Sequence, residues 1–298
     1  MTDQASPDRI RALPCFSGPI EIAPLSGGLS NESWLVTDSA GRHVVRMGRD
    51  FPFHHVDRAR ELMTARAAQE AGFAPRVEYA EPGIMVSAFL DAKTFEAADV
   101  RANAERIGKL IRDFHAVMPR HVAGAGFMFW VFHVIRDYAR TLRDGGSRMT
   151  ERLPAWLALS DRLEAAQCPL PIVFGHNDLL PANFLDDGKR LWLIDFEYAG
   201  FSTAMFDIAG TAANAEMSSD EAAHLLEATL GTRAEPAVTR ALHAMQCAAL
   251  LRETLWSLVS ELHLDAPGVD YRAYTAENLA RLDAALDTYH STYGKTSP

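Results

Sequence analysis

Residues 172–196 constrain the fold more than any other stretch of the chain. Two short apolar runs, 172–174 and 191–196, read as strands flanking a polar loop. They form a β-rich island in a chain whose texture is helical from about residue 99 onward. Within the loop, His176, Asp178 and Asn183 make an H-x-D-x4-N pattern, and twelve residues later comes Asp195, in Ile194-Asp195-Phe196. Two strands around a loop of this length bring two carboxylates and an amide to one place.

That residue set suits phosphoryl transfer. The reaction needs little covalent help from a protein. It needs magnesium held on the nucleotide phosphates, a group that orients the attacking hydroxyl, and positive charge on the phosphates. Asp178 is the candidate for the hydroxyl, and Asn183 and Asp195 are candidate hard-oxygen ligands for Mg2+.

The first ninety residues read differently. Residues 1–18 are an arm or a short leading helix. Short β-branched runs at 33–38 and 42–48 surround Ser39-Ala40-Gly41 as a hairpin. Residues 56–72 read as a helix with Val56, Ala59, Met63, Ala67 and Ala71 on one face, and 76–79 and 84–90 as two further strands. Leu25-Ser26-Gly27-Gly28-Leu29-Ser30-Asn31 is a glycine-rich loop leading into a strand, where Gly27, Gly28, Ser30 and Asn31 are candidates to meet phosphates. A phosphate-contacting cation is expected on the next strand. The four lysines, at 93, 109, 189 and 295, all lie elsewhere, so Arg46 is the candidate, with Glu61 on the following helix as its partner. After residue 99, helices are expected at 129–143, 153–166, 220–230, 236–263 and 274–290. The fold class is therefore α+β with two lobes: 1–90, small and β-rich, and 91–298, mainly helical.

Other chemistries find no support. No GxGxxG follows a strand, no GxSxG elbow or HExxH is present, and Gly294-Lys295-Thr296 lacks the earlier glycine and the following helix of a phosphate loop. His54-His55 beside Asp57 reads as a solvated loop. Cys15, Cys168 and Cys247 are three, far apart and without a CxxC, which fits a reducing compartment. No signal peptide is visible, and the apolar stretch 241–259 is broken by Arg252 and Glu253, reading as an amphipathic helix rather than a membrane span. The expectation is a cytoplasmic enzyme without membrane insertion; monomer and homodimer are both left open.

The pieces LSGGLSNESWLV, HVVRMG, ELMTARAAQEAGFAP, HNDLLPANF and LIDFEYAGFSTAMFDIAG together resemble the choline/ethanolamine kinase family, within the wider aminoglycoside phosphotransferase and protein-kinase-like superfamily. The resemblance runs over roughly residues 20–290. It implies ATP and Mg2+ as cofactors, Asp178 as catalytic base within the His176-containing motif, Asn183 and Asp195 as metal ligands, and Arg46 with Glu61 as the phosphate anchor. It also implies Ser87 and Phe89 at the adenine hinge. A quaternary ammonium is held by aromatic faces and a carboxylate. The resemblance puts Trp256, Tyr271, Tyr198 and Tyr274 at such a pocket, with Asp270 and Glu197 as its acids. Val259 stands where a second tryptophan is common, and Thr211-Ala212-Ala213-Asn214 replaces aromatic and acidic residues, so the cage is thinner than in a dedicated choline kinase.

The expected reaction is transfer of the ATP γ-phosphate to the hydroxyl of a small amino alcohol, choline or ethanolamine. The alternatives are an aminoglycoside or another small alcohol as acceptor, and a non-catalytic nucleotide-binding module. The net charge of -10 disfavours nucleic acid as a partner. Its placement says more. Residues 1–171 hold 21 Lys and Arg against 21 Asp and Glu, and residues 172–298 hold 8 against 18. An acidic second lobe suits a cationic second substrate.

Overall fold

The computed structural model describes residues 5–25, 31–266 and 268–294. A leading helix, α1 (Ala5–Arg11), precedes strands β1 (Glu21–Leu25), β2 (Glu32–Thr37) and β3 (Arg42–Met47). Helix α2 (Arg58–Glu70) follows, then β4 (Val77–Glu81) and β5 (Ile84–Ala88). The five strands form one antiparallel sheet in the order β1-β2-β3-β5-β4.

Local chemistry explains the turns. The β2–β3 hairpin closes on Asp38, whose carboxylate accepts from the amides of Ala40 and Gly41 at 2.7 and 3.0 Å. Asp57 caps α2 by accepting from the Arg60 amide at 2.9 Å. Ile10 and Leu13 cover Val36, Val45, Ile84 and Val86 on one sheet face, forming a small core.

The buried side of α2 overlaps the expected face only in part. Val56 just before the helix and Ala67 within it are buried as expected, but Ala59 is exposed, and Glu61, Thr64, Ala65 and Ala68 complete the buried side. The spacing is helical, but a carboxylate sits on the buried side because two arginines neutralise it there.

The second region opens with β6 (Lys93–Thr94), α3 (Ala97–Ala102), α4 (Ala104–Val117), α5 (Val131–Asp144) and α6 (Leu153–Ala165). Then come β7 (Ile172–Gly175), β8 (Phe184–Asp186), β9 (Leu191–Leu193) and β10 (Gly200–Thr203). β6, β8 and β9 form a three-stranded sheet, while β7 pairs with β10. The expected island is thus present, with β8 and β10 as additional partners. Helices α7 (Ala204–Asn214), α8 (Ser219–Leu230), α9 (Pro236–His263) and α10 (Tyr271–Tyr293) complete the chain. α9 is the central post and packs against α5, α7 and α10.

The His54-His55 pair departs from expectation. His54 is buried rather than solvated, its ring stacked on Trp256 at 4.9 Å and its Nε2 3.1 Å from the Ser260 Oγ. The short turn Pro52–His54 docks onto α9, which burial of the ring requires.

Candidate functional site

The loop between β7 and β8 is built on a buried carboxylate. Asp207, in the first turn of α7, accepts from the His176 amide at 2.9 Å and the Asn177 amide at 2.7 Å. The His115 Nε2 lies 2.7 Å from the same carboxylate. Burial alone would raise this carboxyl, yet the bonds from His115 and the loop amides hold it below the ordinary range. Asn177 takes the left-handed backbone region at φ 62° and donates through Nδ2 to the carbonyls of Gly175, Tyr198 and Gly200. Position 175 is glycine for a steric reason: a Cβ there would meet the Asn177 Oδ1 at 2.9 Å and the Asp207 Oδ2 at 3.1 Å.

His176 is fully buried and works inside this frame. Its Nε2 lies 2.9 Å from the carbonyl of Ile194, tying the loop to the segment that carries Asp195. Burial disfavours the charged form of the ring and lowers its pKa. Asp178 follows. Burial raises its carboxyl well above the ordinary range, and the Arg252 guanidinium opposes that rise from 3.4 Å. Asn183 donates from Nδ2 to the Asp178 carbonyl at 2.7 Å, so the other end of its amide is an oxygen. The Asn183 carbonyl also accepts from the Ile194 amide at 3.2 Å, which brings Asn183 beside Asp195. Asp195 has φ 69°, and its side chain is 31% exposed.

Across from this loop stands a charged cluster from the sheet. Arg46 on β3 reaches Glu61 at 2.8 Å through Nη1 and Asp195 at 2.6 Å through Nη2. Arg58 at the start of α2 also reaches Glu61, at 2.6 Å, and Glu197 at 3.0 Å. Asn31 donates to Glu197 at 3.2 Å. Gly27, Gly28 and Ser30 lie outside the described residues. Ser87 is on β5, paired with Val44 and Val77, and the Phe89 amide just beyond donates to the Arg42 carbonyl at 3.1 Å.

The aromatic residues also gather. The Trp256 Nε1 donates to the Tyr198 hydroxyl at 2.8 Å, and its ring meets Tyr271 at 6.3 Å and Tyr274 at 6.1 Å. Asp270 stands apart as the N-cap of α10, accepting from the amides of Arg272 and Ala273 at 3.0 Å each. Glu197 lies in the Arg46–Arg58 cluster.

Four residues of this site escaped the sequence reading: Arg58, Asp207, Arg252 and Glu253. A usable signal existed for Asp207, a lone carboxylate inside the apolar segment 204–213. Arg252 donates to Glu253 at 2.7 Å, and Glu253 accepts from the Tyr274 hydroxyl at 2.7 Å. Asp178, Arg252 and Glu253 line one cavity with Gly210 and Asn214 of α7.

The donor chemistry around Asp195 fits a hard cation. Magnesium takes one or two carboxylates and completes its shell with phosphates and water. One accessible carboxylate next to an amide oxygen matches that demand. Among the described residues there is no cluster of three or more His, Cys, Asp or Glu side chains for another metal. Nor is any helix among them long and apolar enough to cross a membrane.

A five-stranded antiparallel sheet followed by a mainly helical region is the protein-kinase-like fold. The chain belongs to the phosphotransferase enzyme family, whose model matches residues 21–246. It is 29% identical over 206 residues to a protein of Arabidopsis thaliana named "Probable ethanolamine kinase", a match covering 63% of this chain and 54% of that protein. The match therefore spans about half the length of that relative. Among solved structures, a choline/ethanolamine kinase family protein from Mesorhizobium loti superposes with a TM-score of 0.76 at 27% identity, covering 97% of this chain and 98% of that one. The choline kinase LicA from Streptococcus pneumoniae shares the fold, with a TM-score of 0.76 at 19% identity over 96% of this chain and 99% of that one.

Proposed function

We propose that the protein transfers the γ-phosphate of ATP to the hydroxyl of a small amino alcohol of the choline and ethanolamine class. The observation that carries this reading is Arg46, whose one guanidinium spans Glu61 and Asp195. Such a bridge sets a fixed positive charge beside the carboxylate best suited to hold magnesium, where nucleotide phosphates must lie.

In this reading Asp178 accepts the proton of the acceptor hydroxyl. The hydroxyl oxygen bonds to the γ-phosphorus, the bond from that phosphorus to the β-phosphate oxygen breaks, and ADP leaves. Arg46 carries charge on the phosphates, Glu61 and Arg58 fix its direction, and Ser87 and Phe89 line the edge on which adenine rests. Asn183 and Asp195 would hold magnesium, which when bound neutralises phosphate charge. His176 positions the loop against Ile194. The relatives named above support the acceptor class.

An ATP-consumption assay over a panel of amino alcohols, aminoglycosides and sugars tests the assignment. ADP formation with an amino alcohol, lost in Asp178→Ala, is expected. Thermal stabilisation by ATP without turnover on any acceptor would overturn it in favour of a nucleotide-binding module.

A further inference from the structure

The aromatic residues around Trp256 are packed on one another and on a cation belonging to the chain. The Arg252 guanidinium lies 5.2 Å from the Tyr198 ring centroid, 5.8 Å from that of Phe129 and 6.0 Å from that of Phe206. Arg252 is 4% exposed. A positive charge over an aromatic face is what a bound quaternary ammonium would supply, so Arg252 already takes the place that such a group would need. Trp256 is no more open. His54 covers one face, Tyr198 engages its N–H, and the residue is 5% exposed.

Glu253 offers the opposite chemistry. Its carboxylate is held by Arg252 and by the Tyr274 hydroxyl, both at 2.7 Å, and it lines the same cavity as Asp178. One guanidinium serves both carboxylates. Its Nη1 reaches Glu253, and its Nη2 reaches Asp178 at 3.4 Å. The two acids are thereby fixed one guanidinium's width apart. A short alcohol with its amino group two carbons from the hydroxyl can engage both, the hydroxyl at Asp178 and the ammonium at Glu253. The α7 side of the cavity contributes Phe206, Asp207, Gly210 and Asn214, and the buried Asp207 carboxylate is already taken by His115 and the amides of His176 and Asn177, so Glu253 is the wall's carboxylate for the ammonium end.

Building on the amino-alcohol reading, we propose that Glu253 is the specificity residue for a primary-ammonium acceptor, and that Arg252, seated in the aromatic cluster, excludes a quaternary one. A primary ammonium brings three N–H donors, while a trimethylammonium brings none.

Steady-state kinetics on ethanolamine, its N-methyl and N,N-dimethyl derivatives and choline, with wild type and Glu253→Gln, test this. The expected result is a kcat/KM that falls along the series, by about tenfold or more from ethanolamine to choline. Glu253→Gln should raise the ethanolamine KM by about tenfold to a hundredfold, leave the ATP KM nearly unchanged, and narrow the ethanolamine-to-choline ratio. An equal loss on every acceptor would mark a merely structural role and overturn the proposal. So would choline turned over as well as ethanolamine by the wild type, with the kinase reading intact in both cases. Absence of ATP consumption with all four alcohols would overturn the amino-alcohol reading, and this proposal with it. The ATP-induced shift in melting temperature, expected to match wild type, shows that the variant is folded.

Discussion

The Arg46 Nη2 lies 2.6 Å from the Asp195 Oδ1, joining the middle of the N-terminal sheet to the end of the β8–β9 hairpin across 149 residues of sequence. Four charged side chains, Arg46, Arg58, Glu61 and Glu197, share this neighbourhood with Asp195. Neighbouring carboxylates reinforce the Arg46 charge against the cost of burial. Arg46→Ala should lower turnover by about a hundredfold or more and raise the ATP KM, whereas Arg46→Lys should recover only part, since an ammonium lacks the planar fork. Kinetics with ATP varied at saturating acceptor measure both; an unchanged ATP KM in Arg46→Ala would remove Arg46 from the phosphate site.

Arg58 was not anticipated as a functional residue, and its geometry makes it a positioning residue. It holds Glu61 from the side opposite Arg46 and also reaches Glu197. Arg58→Ala leaves two nearly buried carboxylates with one arginine instead of two. Turnover should fall by about tenfold with a smaller change in acceptor KM, and Arg58→Lys should restore part of it.

Proton acceptance by Asp178 requires its ionised form. Burial pushes that carboxyl well above the ordinary range. Activity should therefore be present at high pH and lost on acidification through a value well above about pH 4. A kcat/KM profile with magnesium and ATP saturating reads this limb. A limb at or below the ordinary carboxylate range would contradict the role.

Asp207 should matter for stability first. Its folded carboxyl is held below the ordinary value, mainly by His115 and the loop amides acting against burial. The stability it contributes is thus present above about pH 4 and lost as pH falls through the lower folded value. Asp207→Ala strands the His115 ring and two loop amides and should cost about 3–5 kcal/mol. Urea unfolding of wild type and variant at neutral pH, repeated in acid, should show the gap closing as pH drops. A variant as stable as wild type at neutral pH would deny Asp207 this part.

Local spacing made much of the site legible. Asn183 and Asp195 bracket the β8–β9 hairpin and Asp178 lies in the loop that leads into it, so their sequence separation nearly dictates their meeting. Arg46 stood out because no lysine was near, and Glu61 because it is the earlier of the two carboxylates on the following helix, with Glu70 further along. Arg252 and Glu253 read only as a break in an apolar stretch. Their meaning depends on which face of a 28-residue helix turns toward a loop some 74 residues earlier, and spacing does not encode that. Helix α7 was missed for a related reason: residues 204–213 are nearly all buried, so no polar face marks a helical period. The histidine pair at 54–55 misled because a short polar turn looks the same whether it faces water or docks on a distant helix.

Asn177 at φ 62° and Asp195 at φ 69° flank Asp178 and Asn183 in a backbone region where glycine, asparagine and aspartate are the residues commonly tolerated. This has an evolutionary consequence. Mutational routes to a new acceptor pass only with difficulty through those two positions, because most replacements would strain the main chain before altering any contact. The helical walls α9 and α10 carry no such restriction. If the proposed transfer holds, variation that changes the acceptor should accumulate there, while the loop between β7 and β8 stays almost fixed in composition.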